Sequence, residues 1–384
     1  MSQTALATVL LVASGLFLRS FVRLERLDPG FDPERLLAMR VALPRASQDI
    51  PEVARAFQEF LLEQVGAIPG VQEAATSLFV PLKAMAMNLR FQIEGRPSRS
   101  SDDFNAPAEV VSDGYFRTIG ATLVSGRYFG RQDTEGSEGV LVISQTMARE
   151  YWPNESAIGK RLLFPYPDLS EKAFTVVGII RDVTYERRAP ETRRAIYMWQ
   201  RQQPYGDVML LVRTDQDPMR YAAPIRERIH LTDPNVAVSE VTTMDQIARE
   251  SLRGPRLQTS VLSLFASIAV FLAGSGLYGL LAHSVSRRTH EIGVRMALGA
   301  DARSITQLVS GRGLALALTG LIIGILFALA TMRFLSAILY GLSPTDATTL
   351  AITSLVILSV TTFATYLPAR QATKTAPTAA LRYE

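Results

Sequence analysis

Residues 313–332 read GLALALTGLIIGILFALATM, a run of twenty residues without a charged side chain. A helix rises about 1.5 Å per residue, so about 20 residues cross a hydrocarbon core of about 30 Å. Two neighbouring runs, 257–282 and 347–369, also carry no formal charge. Three such runs in one third of the chain leave too little polar sequence to cover them as core helices of a soluble protein. The C-terminal third therefore predicts three membrane-spanning helices.

A fourth uncharged run, 2–18, ends at Arg19. A secretory signal peptide is the alternative to a spanning helix here. Signal peptides carry basic residues before the apolar core and a small-residue cleavage motif after it, and this run has neither. We interpret 1–22 as a spanning helix that starts almost at residue 1. Such an abrupt start favours an N-terminal half that is missing from this chain.

The charge distribution favours a membrane protein over a nucleic-acid-binding protein. The net charge is +4, but residues 23–256 hold 30 basic and 32 acidic side chains, whereas residues 257–384 hold nine and four. The excess positive charge thus lies in the apolar third and not on a soluble domain. This distribution is typical of membrane proteins, whose cytoplasmic loops are rich in lysine and arginine. The apolar content of 48% excludes a disordered chain, and the absence of cysteine excludes disulfides and thiolate metal sites.

The short loops predict the orientation. Loop 283–312 carries five arginines and loop 333–346 carries one, so the first is expected in the cytoplasm and the second outside. Both termini then lie in the cytoplasm and 23–256 lies outside. The arginines that follow the first run oppose this orientation. Long translocated domains obey the charge rule poorly, so the short loops decide.

The segment 23–256 is predicted to form one α/β domain. Strand–helix–strand patterns at about 36–78 and 208–250 have proline-containing turns at equivalent places. The sequence between them, about 85–205, is richer in short strands. Two βαβ-like units that bracket a strand-rich insertion predict a subdomain assembled from both ends of the segment.

Two glycine motifs lie inside the uncharged runs. Residues 274–279, GSGLYG, fit the nucleotide-binding pattern GxGxxG, but they lack the strand before and the acid after that this function requires. Small residues in such a run allow close helix packing, and this role is assigned to Gly274. Gly320 and Gly324 form a GxxxG pair, a pattern typical of packed membrane helices.

The motifs for catalysis or metal binding that the sequence suggests are incomplete. His290 and Glu291 begin a zinc-protease pattern, but Val294 stands where the second histidine is required. The pair Gly159-Lys160 lacks the rest of a P-loop, and no serine–histidine–acid set is indicated. We therefore predict a protein that is not an enzyme, has no cofactor, and relies on another chain for any ATP hydrolysis.

Residues 287–300, RRTHEIGVRMALGA, carry a family resemblance. They resemble the first cytoplasmic loop of FtsX-type and MacB-type ABC permeases, with His290 in place of the usual arginine before Glu291. Further stretches resemble the periplasmic core domain of MacB-like permeases: Tyr115-Phe116, Gly126-Arg127-Tyr128-Phe129, Tyr151-Trp152-Pro153, Ile158-Gly159-Lys160-Arg161-Leu162 and Val176-Val177-Gly178-Ile179-Ile180-Arg181-Asp182-Val183. Stretches 18–21 and 28–31 resemble the large duplicated permeases of the acidobacterial type, in particular their C-terminal half.

This resemblance implies a fold class and a setting. Four transmembrane helices would accompany an extracytoplasmic α/β (α+β) domain of the MacB periplasmic-core type, and 257–384 would be an FtsX-like permease domain. The location would be the bacterial cytoplasmic (inner) membrane. The implied partners are an ATP-binding cassette ATPase, a second permease half or copy, and a periplasmic adaptor, with no nucleic acid.

The resemblance also places ATPase coupling in the first cytoplasmic loop. The coupling residues would be Arg287, Arg288, Glu291, Ile292, Gly293, Arg295, Leu298 and Gly299. For Arg287 and Arg288 the alternative is anchoring of the helix end at the anionic inner leaflet. For Glu291 a partner contact is favoured, because an acid gains nothing from an anionic surface.

Two classes of function follow from the resemblance. In the first, the chain is a permease that relays ATP-driven motion of a separate ATPase to the outer domain for efflux or extrusion of a substrate. In the second, it is a membrane-anchored regulator or scaffold of an envelope enzyme or sensor, with no transported substrate. An ATPase and an outer-membrane channel as partners favour the first, and coupling to a wall hydrolase favours the second.

Overall fold

The computed structural model describes residues 2–83, 87–96, 104–130, 132–133, 137–166, 169, 173–185, 194–287, 302–334 and 346–372. The chain divides into two units. The sheet unit comprises Leu27–Leu252, and the helical unit comprises Met1–Arg26 together with Arg253–Glu384.

The described helices fall into both units. They are α1 Ser2–Glu25, α2 Arg45–Gln48, α3 Pro51–Gly66, α4 Tyr115–Ile119, α5 Gln145–Tyr151, α6 Ala222–Thr232, α7 Met244–Ser251, α8 Arg253–Arg287, α9 Ala302–Phe334 and α10 Ala347–Ala372, with a 3-10 turn at Pro218–Tyr221.

The described strands all lie in the sheet unit. They are β1 Leu36–Ala42, β2 Val71–Ser77, β3 Asn88–Arg90, β4 Gln92–Ile93, β5 Asn105–Val111, β6 Leu123–Gly126, β7 Gly139–Ser144, β8 Arg161–Leu163, β9 Ala173–Ile180, β10 Ile196–Trp199, β11 Asp207–Thr214 and β12 Ala237–Thr243.

In the described part of the chain, four helices are long and apolar enough to cross a membrane: α1, α8, α9 and α10. They coincide with the four uncharged runs of the sequence. The helices extend beyond those runs, because α1 ends at Glu25, α8 ends at Arg287 and α9 begins at Ala302. An apolar run measures the bilayer crossing, whereas arginine is a good helix former and lets a helix continue into water.

This extension shortens the non-helical connection between α8 and α9, while the apolar span of α9 still begins at Gly313. We predicted a loop at 283–312, but 283–287 belongs to α8 and 302–312 belongs to α9. The segment that joins the two helices is therefore 288–301, which lies outside the described residues. Charge alone does not end a helix, so the five arginines of this region do not mark its boundaries.

The four long helices pack side by side in alternating directions. Near one end of the bundle Ala7 of α1 packs with Ala273 of α8, and near the other the hydroxyls of Ser14 and Ser263 lie 3.0 Å apart. These pairs make α8 antiparallel to α1. Similarly, α9 runs parallel to α1 and α10 runs antiparallel to it, since Ala328 and Asp346 both lie near the C-terminal half of α1.

The first half of the sheet has the strand order β12-β1-β11-β2. β1 pairs antiparallel with both β11 and β12, and β11 pairs antiparallel with β2. The two strand–helix–strand units thus interleave, each with a strand of the other unit between its own two strands. This is the split βαβ order of ferredoxin-like folds, and we call it the ferredoxin-like half.

The second half of the sheet, the insertion half, continues the order as β5-β10-β7-β9-β8-β4. β5 pairs parallel with β10, and β7 pairs parallel with β9. β3 pairs with β5. β6 and β8 both pair antiparallel with β9, along different parts of its outer edge. The two halves meet at one residue pair, Ser77 of β2 with Val111 of β5. We call this narrow junction the seam.

The core of the sheet unit consists of three clusters of buried side chains. They lie on both faces of the sheet, since successive side chains of a strand face opposite sides. The central cluster covers one face of both halves and includes Phe31, Tyr115, Tyr197, Trp199 and Met244. On the other face, α3 and α6 cover the ferredoxin-like half and α5 covers the insertion half. The central cluster is therefore the core that both halves share.

Candidate functional site

The structure describes one of the eight predicted coupling residues. Arg287 is the last residue of α8 and is exposed. Arg288, Glu291, Ile292, Gly293, Arg295, Leu298 and Gly299 lie outside the described residues. Arg287 thus places the start of the predicted coupling segment directly at the end of a membrane-spanning helix.

Two of the three predicted packing glycines, Gly324 and Gly274, lie in different helix contacts. A Cβ atom on Gly324 of α9 would lie 2.5 Å from Cβ of Thr8 and 2.8 Å from the carbonyl oxygen of Ala5, both in α1. Gly320, one turn earlier, is buried. A Cβ atom on Gly274 of α8 would lie 3.1 Å from Cγ1 of Val360 in α10. The structure therefore does not bring Gly274 together with the GxxxG pair.

Replacement of Gly324 by alanine is expected to loosen the contact between α1 and α9. The added methyl group overlaps the backbone of α1, and such overpacking costs about 1–3 kcal/mol. The measurement is thiol labelling of a cysteine placed at buried Ser14 in the purified protein, since labelling requires the bundle to open. Its rate should rise about five- to 150-fold, which is this free energy expressed as a ratio.

Gly279→Ala is the matched control for this prediction. Gly279 also lies in a long helix, but a Cβ atom there would have no heavy atom within 4 Å. Its labelling rate should stay near that of the parent. Equal rates for the two variants would show that the Gly324 contact does not hold the bundle together.

Polar contacts tie the C-terminal end of α1 to the start of α10. The guanidinium of Arg19 forms an ion pair with the carboxylate of Asp346 and also donates to the hydroxyl of Thr348. Asp346 in turn accepts from the backbone N–H of Thr349 at 2.8 Å, as a residue that caps a helix N-terminus does. The charge of Arg19 is thus balanced within the bundle.

The chain that follows α1 enters the sheet unit through a fixed turn, Asp28-Pro29-Gly30-Phe31. Gly30 has φ +79°, and a Cβ atom there would lie 1.8 Å from the carbonyl oxygen of Asp182. The carbonyl oxygen of Pro29 accepts from the backbone N–H of Thr184 at 2.8 Å. Phe31 is buried in the central cluster. Glycine is required here by both the positive φ and the contact.

The side chain of Arg213 binds the residues that follow this turn. Nε of Arg213 donates to the carbonyl oxygen of Thr118 at 2.7 Å, and its Nη1 donates to Oδ2 of Asp32 at 2.9 Å. Nη1 also donates to the carbonyl oxygen of Glu34 at 3.0 Å. Arg213 of β11 therefore joins the entering chain to α4, which carries Tyr115 of the central cluster.

The chain that leaves the sheet unit for the helical unit is anchored in the same core. β12 ends at Thr243, whose hydroxyl accepts from the backbone N–H of Gln246 and caps α7. Met244 and Ile247 of α7 are buried in the central cluster. Both chain connections between the two units thus end in one set of packed side chains.

An open groove at the end of the ferredoxin-like half was not indicated by the sequence. It has a volume of about 380 Å³ and is lined by Arg40, Lys83, Asp207 and Glu240, among others. Arg40 donates to Asp207 at 2.6 Å and to Glu240 at 3.2 Å, and Lys83 donates to Glu240 at 3.0 Å. The hydrogen bonds to Asp207 and Glu240 raise the pKa of Arg40 above its ordinary value. Both lining cations, Arg40 and Lys83, are thus paired with carboxylates of the same groove.

The described residues contain no group of three or more histidine, aspartate or glutamate side chains that could hold a metal ion. The described residues form a packed helix bundle and a sheet whose shared core contains residues of both connecting segments.

Two family models match the chain. The model of the MacB-like periplasmic core domain matches residues 5–250, and that of the FtsX-like permease C-terminal domain matches residues 263–377. The chain belongs to the MacB/FtsX-type family of ABC transporter permeases. This bears out the family resemblance and the fold class, four apolar helices with an α/β domain of the MacB core type.

Among the relatives of this MacB/FtsX-type permease is the macrolide export ATP-binding/permease protein MacB of Chromobacterium violaceum. It is 25% identical over 341 residues, which cover 85% of this chain and 49% of the relative. The uncharacterized ABC transporter permease YknZ of Bacillus subtilis is 24% identical and is matched over 79% of its length. The chain thus spans about half the length of the MacB relative.

Solved structures of extracytoplasmic domains are also similar. The periplasmic region of MacB from Actinobacillus actinomycetemcomitans covers 58% of this chain at 12% identity, with 94% of that structure matched and a TM-score of 0.40. The extracellular domain of YknZ covers 53% at 14% identity, with all of that structure matched and a TM-score of 0.34.

Proposed function

We propose that this permease relays ATP-driven motion of a separate ATPase to its extracytoplasmic domain, for efflux or extrusion of a substrate from the outer side of the membrane. The observation that carries the proposal is the anchoring of both connecting segments in the central cluster. A displacement of α1 reaches this cluster through Phe31, and a displacement of α8 reaches it through Met244 and Ile247. Close-packed side chains transmit such shifts because they have little free volume.

The proposed location is the bacterial cytoplasmic membrane, with both termini inside and the sheet unit outside. The alternating directions of the four helices support this orientation, and so do the arginines near the 288–301 connection. Arg19 opposed it in the sequence. Its ion pair with Asp346 weakens the objection at this residue, because a neutralised arginine gives little preference for the inner side, whereas Arg23 and Arg26 still oppose the orientation.

The proposed partners follow from the family. An ATP-binding cassette ATPase would bind the segment that begins at Arg287, and a second permease half or copy would complete the transporter. A periplasmic adaptor would bind the outer domain. The names of the relatives, which combine ATP-binding and permease parts in one protein or describe a permease alone, support the ATPase as a partner.

Charge reversal of Glu291 tests this proposal. Glu291→Lys is expected to reduce ATPase binding, because a docked carboxylate replaced by a cation faces like charge at a cost of about 2–5 kcal/mol. Co-purified ATPase should fall more than about tenfold at equal permease expression, and stimulated ATP turnover should fall with it. If the segment only anchors to anionic lipid, the added lysine is harmless or favourable, since a cation near such a surface gains about 1 kcal/mol.

Asp301→Lys is the control, since it makes the same charge change in the same segment but outside the predicted coupling residues. It should retain ATPase binding. Unchanged binding and turnover for Glu291→Lys would remove the coupling role of Glu291. Equal losses for both variants would assign the effect to the overall charge of the segment.

A further inference from the structure

Glu109 of β5 is a buried acid with none of its surface exposed to solvent. Its Oε1 accepts from the backbone N–H groups of Leu78 at 2.8 Å, Phe79 at 3.0 Å and Val110 at 3.1 Å. Leu78 and Phe79 directly follow β2. One side-chain oxygen therefore connects the last strand of the ferredoxin-like half to the first strand of the insertion half.

This connection lies at the seam. Beyond the pair Ser77–Val111, the N–H of Leu78 is shared between Oε1 of Glu109 and the carbonyl oxygen of Val110 at 3.0 Å. The N–H of Phe79 has Oε1 of Glu109 as its acceptor. The carboxyl thus takes the place that backbone carbonyl groups would hold in a longer strand pair, and it closes the narrowest part of the sheet.

The second carboxyl oxygen, Oε2, faces the central cluster without a hydrogen-bond partner among the described residues. Tyr197 of β10 is the direct register neighbour of Glu109. The phenol oxygens of Tyr115 and Tyr185 lie 2.6 Å apart, and both rings lie 6.4 Å from the ring of Tyr197. Among the residues that the structure describes, these three phenols are the titratable groups around Glu109.

The charged groups described around the cluster do not neutralise an ionised Glu109. Asp182 acts electrostatically on Tyr197 and is itself an acid, held by the backbone N–H of Thr146 at 2.8 Å. No lysine or arginine in the described part of the chain pairs with Glu109. Burial raises the pKa of Glu109 well above its ordinary value, although the three backbone donors act in the opposite direction.

We propose that the Glu109 carboxyl is a proton-operated latch of the seam. In its neutral form it accepts the Leu78 and Phe79 N–H groups and leaves no charge in the core. In its ionised form the same contacts would hold an unpaired negative charge among three phenols, a state that opening of the seam to water relieves. The seam is therefore closed by the protonated acid and loosened by loss of its proton.

The direction of the pH dependence follows from linkage. The folded pKa is raised, so the latch is fully closed below the ordinary pKa of 4.5 and is lost as pH rises from there through the folded pKa. Between the ordinary pKa and the folded pKa, opening that releases one proton becomes about tenfold more favourable per pH unit, and above the folded pKa it no longer changes with pH.

Hydrogen exchange measures this opening in the purified full-length chain in lipid nanodiscs. Protection factors of a peptide that contains Leu78 and Phe79 are followed from below pH 4.5 upward. In the wild type they should fall with rising pH by up to about tenfold per unit. Protection that does not change with pH would overturn the latch.

Glu109→Gln keeps the size and the accepting oxygen but cannot ionise. Its protection factors for the same peptide should not depend on pH. Glu73→Gln is the control on β2, where Glu73 is half-exposed and pairs with Arg117. That variant should keep the wild-type pH dependence. An equal fall with pH in the wild type and in Glu109→Gln would overturn the proposal.

An infrared titration of the wild type decides the matter if Glu109→Gln does not fold. A protonated carboxyl has its own C=O stretching band, distinct from that of a carboxylate. Loss of this band over the pH range in which protection falls supports the latch. A fall of protection while the band stays constant would overturn it.

Discussion

Replacing Gly30 by alanine is expected to lower the free energy of unfolding of the sheet unit by about 3 kcal/mol or more. The new Cβ atom would lie 1.8 Å from the carbonyl oxygen of Asp182, so the turn after α1 or the end of β9 must move. Either movement withdraws Phe31 from the central cluster. For a domain of this size the midpoint of thermal unfolding should fall about 2–4 °C per kcal/mol.

Tryptophan fluorescence measures this effect in the intact protein. The chain has two tryptophans, Trp152 and Trp199, and both are buried in the sheet unit. Their signal therefore reports unfolding of this unit without interference from the helical unit.

Gly95→Ala separates the cost of a positive φ from the cost of the contact between the new Cβ atom and Asp182. Gly95 has the same φ of +79°, but a Cβ atom there would have no heavy atom within 4 Å. This variant should lose only the cost of a left-handed alanine, about 1–2 kcal/mol. Equal losses at Gly95 and Gly30 would show that the contact with Asp182 adds nothing and that the turn is not a fixed entry point.

A fragment of residues 27–205 should fail to fold, whereas residues 27–252 should fold as a soluble domain with a cooperative melt. The shorter fragment lacks β11, which pairs with seven residues of β1 and six of β2. It also lacks α6, so Leu61 and Val65 of α3 lose much of their packing. Circular dichroism melts and the dispersion of amide NMR signals measure the difference.

A fragment of residues 27–243 is the control, because it is truncated but keeps β11 and β12. It loses Met244 and Ile247 from the central cluster, together with Ala248, which packs against this cluster. We expect a cooperative melt at a lower temperature than that of 27–252. A cooperative melt of 27–205 would show that the insertion half folds alone and that the ferredoxin-like half is dispensable for it.

The sequence predicted the elements that have a strong local signal. The strand–helix–strand pattern at about 36–78 includes a helix that has Pro51 in its first turn and repeats apolar residues at helical spacing down to Val65. The structure places this helix, α3, at Pro51–Gly66. The uncharged runs predicted four spanning helices for a similar reason, since the bilayer imposes a minimum length of apolar chain.

Other features have no local signal. β3, β4 and β8 contain only two or three residues each, too few to show a period, and they exist because longer neighbours offer free edges. The start of α9 at Ala302 has no apolar signal, because Arg303 and Arg312 make this stretch resemble a charged loop. Propensity alone would have allowed the helix, and the charge pattern outweighed it.

The burial of Glu109 does have a signal in the sequence. This residue stands in the strand NAPAEVV, where its neighbours on both sides along the chain are apolar. An isolated acid in such a run is either at an edge or a buried functional group, and only the sheet order distinguishes the two. The close contacts of Gly324 with α1 likewise depend on which helix faces which, information that a GxxxG pattern does not contain.

The interleaved strand order also delays completion of the sheet during synthesis of the chain. About 130 residues separate the end of β2 at Ser77 from the start of β11 at Asp207. At synthesis rates of about 5–20 residues per second, β11 emerges roughly 7–26 s after β2. During this interval β1 and β2 cannot complete their sheet, and their free edges can pair with other chains. Newly made protein therefore needs protection of these edges until its last strands have emerged.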